Sequence, residues 1–398
     1  MKHPRRIIRA ALVILFVSGI LIAGRLIYFR CCTGLPSRLS EDVSPTPTLV
    51  QQTDKTVDLL PSILLFQRSA SKIISSKTHQ GSLALNTQRI SQLTQDGQYV
   101  YWTTDNDPPR ISRFSLLATT PSETVVRSRY SDGDVGSYGI IRSGDWLVFQ
   151  DTPSSSGAIT WDLRALNLVS GTDNTIVARQ NDPASYPGPD FAGRDSLVAF
   201  SMIRSGTGSN CAEAVLGISN LSSGKTEELD RVCADRGYRW SFVGVSDHFV
   251  VAEKESEAGS DLVLINLNTK ERRLLTNDGQ GSMPSISYPW ITWKSGLRYK
   301  ASSKFVAYNM RDEKARVFVL PDNEASDPHL SGHWLYWLKG SSVYLYDLEK
   351  GQEVLLVTSS PRERITMIDI FNDRIVWVRN RIPDQAKGDF ILEWQTLP

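Results

Sequence analysis

Leu330-Ser331-Gly332-His333-Trp334-Leu335-Tyr336-Trp337 leads into Val343-Tyr344-Leu345-Tyr346-Asp347-Leu348-Glu349-Lys350-Gly351, and these two pieces decide the fold. Ser331-Gly332 is a turn signal. The run after it is apolar with aromatic anchors; the second run alternates and ends at Asp-Leu before a glycine turn. Each reads as a β-strand bounded by tight turns. The pattern recurs from about Arg89 to the C-terminus. Its anchors are Tyr99-Val100-Tyr101-Trp102, Trp146-Leu147-Val148-Phe149, Leu197-Val198-Ala199-Phe200, Trp290-Ile291-Thr292-Trp293 and Arg374-Ile375-Val376-Trp377. The second runs end at Ser115-Leu116, Asn167-Leu168, Asn220-Leu221, Asn266-Leu267 and Asn309-Met310. The period is roughly 40–50 residues, the length of one four-stranded propeller blade.

The chain has 398 residues, 22% charged, with a formal net charge of +1. That balance removes any whole-protein electrostatic argument for nucleic acid. Length alone suggests two or three domains, but a propeller grows by adding blades around one axis. Helical periodicity is absent after the N-terminus, so the body reads as all-β: a β-propeller of seven four-stranded blades. The blades fall at Arg89–Val126, Tyr138–Ala178, Pro189–Val232, Trp240–Leu275, Met283–Leu320, Asp327–Val357 and Arg364–Leu397. The seventh lacks an outer strand, and the alternation at Ser82–Thr87 suits that role. Val251 stands where the other blades carry Trp or Phe, and the shifted aromatic of blade three points to a bulge there, so six and eight blades are the alternatives to seven. The anchors themselves read as packing between blades.

Residues 1–30 read as a cytoplasmic tip and a transmembrane signal anchor. Lys2, Arg5, Arg6 and Arg9 precede an apolar run. From Ile7 to Phe29 the chain is long enough to span roughly 30 Å of hydrocarbon. The basic residues keep the N-terminus in the cytoplasm, so the rest is exported, to the periplasm or cell surface. A cleaved signal peptide is the competing reading, but Ile22 and Leu21 occupy the −3 positions where small residues belong. Residues 31–81 read as a stalk, rich in Ser and Pro at its start, and residues 82–398 as the propeller.

Of the four cysteines, Cys31 and Cys32 follow the apolar run, either as a crosslink between two anchors or as thiols without a role. Cys211 and Cys233 bracket a hairpin whose turn lies near Ser222-Ser223-Gly224, which places them opposite one another. A disulfide between them requires an oxidising compartment.

The quoted block resembles the TolB-like, or WD-repeat-like, propellers of the bacterial envelope. Phe371-Asn372-Asp373-Arg374-Ile375-Val376-Trp377 and Ser143-Gly144-Asp145-Trp146-Leu147-Val148-Phe149 repeat its first half. The resemblance covers roughly residues 82–397. It implies an extracytoplasmic scaffold that contacts other proteins or envelope polymers.

Motifs for chemistry are sparse. There is no Gly-x-Ser-x-Gly elbow and no Gly-rich phosphate loop. The five histidines are scattered; His329 and His333 flank a strand turn and lack a third ligand, so no metal or other cofactor is expected. Asp132-Gly133-Asp134 lacks the ladder of a calcium loop. The loops between blades carry Tyr130, Tyr186, Arg236, Tyr238 and Arg362, residue types favoured at interfaces. These form the expected binding face, and the expected function is a noncatalytic module for an envelope protein or glycan. The alternative is a hydrolase or lyase acting on carbohydrate or peptide through the same loops.

Overall fold

The computed structural model describes residues 55–56, 62–65, 81–85, 90–104, 109–118, 121–130, 133–153, 161–178, 188–205, 211–234, 237–296, 304–320, 326–339, 341–358, 362–381 and 390–397. The chain divides into Met1–Gln51 and Gln52–Pro398. The expected membrane helix, Cys31 and Cys32 lie outside the described residues. Among those described, no helix is long and apolar enough to cross a membrane.

Three strands precede the repeats: β1 (Lys55–Thr56), β2 (Ser62–Leu65) and β3 (Gly81–Leu85). Blade one is β4 (Ile90–Gln95), β5 (Tyr99–Thr104), β6 (Arg110–Ser115) and β7 (Glu123–Arg127). Blade two is β8 (Gly133–Ser143), β9 (Trp146–Pro153), β10 (Asp162–Asn167) and β11 (Asp173–Val177). Blade three is β12 (Asp190–Arg194), β13 (Leu197–Arg204), β14 (Glu213–Asn220) and β15 (Lys225–Cys233). Blade four is β16 (Arg239–Ser246), β17 (Phe249–Ser256), β18 (Gly259–Asn266) and β19 (Arg272–Leu274). Blade five is β20 (Gly281–Ser287), β21 (Trp290–Ser295), β22 (Lys304–Asn309) and β23 (Lys314–Val319). Blade six is β24 (His329–Ser331), β25 (Trp334–Lys339), β26 (Ser342–Asp347) and β27 (Gln352–Thr358). Blade seven is β28 (Glu363–Phe371), β29 (Arg374–Arg381) and β30 (Phe390–Thr396).

Each blade is an antiparallel meander in sequence order. β3 completes blade seven by pairing with β30, Gly81 opposite Trp394 and Leu85 opposite Phe390. One sheet thus joins the two ends of the propeller. Gly81 lies where a Cβ would collide with the Trp394 ring, so this register demands glycine. Two short pieces of the expected stalk also join the sheets. β1 adds in parallel to β19, and β2 to β23, as fifth strands of blades four and five.

The first strands of successive blades touch one another: β4 with β8, β8 with β12, β12 with β16, β16 with β20, β20 with β24, and β28 with β4. They therefore ring the central channel. Apolar residues from facing sheets fill the wedges between blades. The anchors Trp102, Trp146, Phe149, Phe200, Trp290, Trp293, Trp334 and Trp377 are buried there, and Val251 fills the same layer in blade four. Trp337, 1% exposed, packs edge-on against Phe305 and face-on against Tyr344. Trp337→Ala is expected to lower unfolding free energy by ~3–5 kcal/mol, read from urea denaturation; a loss under ~1 kcal/mol would remove Trp337 from the core.

Blade three differs from expectation. Its β12–β13 ladder runs unbroken, and the shift falls between Leu216 and Gly217 in β14. Gly217 faces the Phe200 ring too closely for a Cβ, so the aromatic is accommodated by glycine on the neighbouring strand.

Cys211 and Cys233 form a disulfide with Cα atoms 5.8 Å apart, at the open end of the β14–β15 hairpin. It closes a sequence separation of 22 residues, so Cys211→Ser is expected to cost about 3 kcal/mol by loop entropy. Denaturation with and without reductant tests this; equal midpoints would contradict it.

Candidate functional site

In an up-and-down blade, the loops between blades and those joining second to third strands open on one face. Of the expected binding residues, Tyr186 and Arg236 lie outside the described residues. Tyr238 is 39% exposed and Arg362 is exposed. Tyr130 is half-buried. Its hydroxyl donates to Asp162 Oδ2 at 2.6 Å. Next to it, Ser128 donates to Asp151 at 2.6 Å and the Arg129 N–H donates to the same carboxylate. Arg164 bridges Asp151 and Asp173. Tyr130 therefore stitches the loop after blade one onto blade two. The five residues come from four loops.

The channel wall carries a more organised set. Side-chain oxygens of one blade accept backbone N–H groups of the next. Thr94 Oγ1 accepts from Arg142 at 3.3 Å and Asp190 Oδ2 from Phe242 at 3.1 Å. Glu253 Oε2 accepts from Met283 and Asp369 Oδ2 from Gln95, both at 2.9 Å. Ser285 Oγ accepts from Leu330 at 3.0 Å. A blade edge has backbone donors that its own sheet leaves unpaired, and these oxygens satisfy them.

At the meeting of blades six, seven and one these ties coincide with ionisable groups. Asp369 sits on β28. Burial pushes its carboxyl up to about 7, against the N–H groups of Gln95 and Ile370 and the Thr94 hydroxyl, which favour the anion. Tyr336, on β25, is buried, and its phenol is held well above the ordinary value, first by burial and then by the charge of Asp369. The His329 ring lies 5.4 Å from that of Tyr336. His329 is open to solvent, yet crowding by protein lowers its imidazole, with Asp327 opposing. At neutral pH the cluster presents a carboxyl near its midpoint, a protonated phenol and a neutral imidazole. A group poised near 7 is suited to moving protons.

Sequence reasoning missed this cluster. It read Tyr336 as part of an aromatic anchor run, judged His329 only as a metal ligand and did not single out Asp369. His329 and Tyr336 are opposite one another in the β24–β25 ladder of blade six; Asp369 comes from blade seven, and no motif links it to them. His333, four residues after His329, lies tilted against the Trp334 ring and stands 3.7 Å from Asp347. Among the described residues, no group of three or more His, Cys, Asp or Glu is placed to hold a metal.

No protein-family model matches this sequence, and no curated protein matches it either. Solved structures do. A prolyl endopeptidase superposes with a TM-score of 0.56 at 11% identity, over 78% of this chain and 50% of that one. The acylaminoacyl peptidase of Pyrococcus horikoshii gives 0.51 at 9% identity, over 78% and 51%. PorZ, a surface component of the type-IX secretion system of Porphyromonas gingivalis, gives 0.50 at 9% identity, over 80% and 39%. The chain spans about half the length of the two peptidases. At these identities the likeness is one of fold.

These likenesses correct the expectation of a noncatalytic scaffold that is not an enzyme. That expectation read a propeller without a nucleophile motif as a binding module. Solved chains that share its propeller are peptidases, so the fold carries no such exclusion. The absence of a linear motif is equally uninformative, because residues converging on a propeller channel are separated by whole blades.

Proposed function

We propose that this chain is an envelope hydrolase or lyase acting on peptide or carbohydrate, with the central channel as its substrate path. The observation that carries the reading is Asp369 and His329 on first strands that ring the channel, with the Tyr336 phenol buried in the wedge beside them. In its ionised form, Asp369 serves as the general base, taking a proton from attacking water or from the substrate. The Tyr336 phenol donates a hydrogen bond to the oxygen that gains negative charge. Thr94 and the Gln95 amide hold the carboxylate in place. Proton transfer of this kind contributes roughly 10²–10⁴-fold in rate. The two peptidase propellers support the enzyme class by analogy of fold only.

The TolB-like motif pattern, the apolar run Ile7–Phe29 and the disulfide, which needs an oxidising compartment, together support an anchored propeller outside the cytoplasm. PorZ offers one precedent for the fold at a bacterial surface. The reading is tested by assaying the purified full chain against peptide and oligosaccharide panels, alongside Asp369→Asn. Turnover that rises with pH through about 7 and collapses in the variant is expected. No turnover on either panel, or full activity in the variant, would overturn it.

A further inference from the structure

One position recurs from blade to blade, and its residue decides whether the neighbouring seam is filled. The first residue of the second strand lies opposite the Asn or Asp that ends the third: Trp146 opposite Asn167, Leu197 opposite Asn220, Phe249 opposite Asn266, Trp290 opposite Asn309 and Trp334 opposite Asp347. Each Trp is buried. Each shares a wedge cluster with the residue just past the third strand of the next blade, Trp146 with Leu221, Trp290 with Leu348 and Trp334 with Leu397. Leu197 and Phe249 are smaller and only half-buried. Beside each of them the seam to the next blade holds a crevice of about 190 Å³.

The two crevices are built alike and charged oppositely. Between blades four and five, Phe249, Leu264 and Met310 give an apolar lining, and Asn266, Glu271 and Arg273 a polar one. Arg273 is committed across the seam to Glu313 at 3.1 Å. Glu271 is exposed, and its carboxylate has no ion-pair partner among the described residues. Between blades three and four, Lys225 takes the place of Glu271, and Glu227 with Lys270, at 2.7 Å, takes the place of Arg273 with Glu313. The Tyr288 ring of blade five lies parallel to that of Phe249, with centroids 5.9 Å apart, and the Arg311 guanidinium lies over Tyr288 at 5.1 Å. This stack holds Phe249 to blade five and keeps the crevice preformed.

We infer that the crevice between blades four and five is a binding site for a small aromatic amine. The ligand ring takes the space that Trp146, Trp290 and Trp334 fill in their own seams. Phe249 and the Met310 thioether are surfaces suited to a flat ring. The ligand ammonium pairs with Glu271. The crevice, at about 190 Å³, is smaller than the roughly 300–1,000 Å³ of ordinary ligand pockets, so its occupant is one ring system with a short tail. In the neighbouring crevice Lys225 stands at the place of Glu271 and turns a cation away. None of these residues belongs to the Asp369 cluster, so binding here does not depend on the catalytic reading.

The test is methyl NMR of the full chain labelled at methionine. The chain has five methionines, and Met310→Leu identifies the Met310 signal. The probes are tryptamine, indole-3-propionate, which carries the opposite charge, and propylamine, which lacks the ring. Saturable movement of the Met310 signal is expected with tryptamine. It should be at least about threefold weaker with indole-3-propionate, the scale of an exposed ion pair, and absent with propylamine at millimolar concentration. Phe249→Trp restores the residue of blades two, five and six. It should abolish the movement without lowering the melting temperature, because filling a cavity is commonly stabilising. Glu271→Gln should remove the preference for tryptamine over indole-3-propionate, and this exposed change decides the matter if F249W melts lower. A Met310 signal unmoved at millimolar tryptamine, equal movement with the three probes, full binding by a stable F249W, or an unchanged preference in E271Q would overturn the site. Turnover with a silent Met310 would sink this inference alone, and binding without turnover the catalytic reading alone.

Discussion

A chain beginning at residue 89 is expected to melt at least about 10 °C lower than the full chain and to aggregate, whereas one beginning at residue 75 should melt within a few degrees of it. The first lacks β3 and the second keeps it; both lack β1 and β2. β3 supplies the outer strand of blade seven, and Leu85 is buried with Phe390 and Leu392 in one cluster. Without it, Leu392, fully shielded in the intact propeller, stands at an open sheet edge. Each such apolar side chain is worth about 1.5–3 kcal/mol on burial, and the bare β30 edge is a template for intermolecular pairing. The ends of the ring also part, so the seam between blades seven and one loses its backing. By contrast, β1 and β2 lie outside edges that are already complete four-stranded blades. Scanning calorimetry with light scattering decides the matter. Equal melting of the two truncations would mean that β3 does not close the ring.

Asp369→Asn is the second large effect, in activity and in the pH dependence of stability. Its carboxyl titrates near 7 in the folded chain against an ordinary 3.8. The folded state therefore holds the proton more tightly than the unfolded state. The stability this confers is fully present below about pH 4 and is lost as pH rises toward 7. Asn cannot ionise and keeps an oxygen for the Gln95 N–H. The variant should therefore be more stable than wild type at pH 8, by roughly 1–3 kcal/mol after allowing for partial solvent access, and close to it at pH 4. Its turnover should fall roughly 10²–10⁴-fold. Denaturation at the two pH values tests the first half. If the variant gains nothing at pH 8, the carboxyl is not held near 7.

Trp334-Leu335-Tyr336-Trp337 and its counterparts mark second strands because period-two alternation and Ser-Gly or Asn-Asp turns act within a few residues. The strand at Ser82–Thr87 is legible for the same reason, and the structure places it at Gly81–Leu85. The site is different. Tyr130 has the composition of an interface residue, but in the fold its hydroxyl is spent on Asp162. Asp369 has no distinguishing neighbours in sequence; Gln95, which holds it, is 274 residues away. Phe242 and Met283, with left-handed backbone at φ 42° and 54°, are ordinary strand residues until their ladders are aligned.

Taken alone, the sequence determined an all-β ring of repeated blades and its aromatic packing, because turns and alternating burial are decided locally and each blade repeats the same local choices. Tertiary structure alone decided the closing register of β3 on β30, the register shifts in the first strands, and the approach of Asp369 to Gln95 and Tyr336. Those features depend on strands brought together from distant parts of the chain, as Gln95 meets Asp369 across 274 residues.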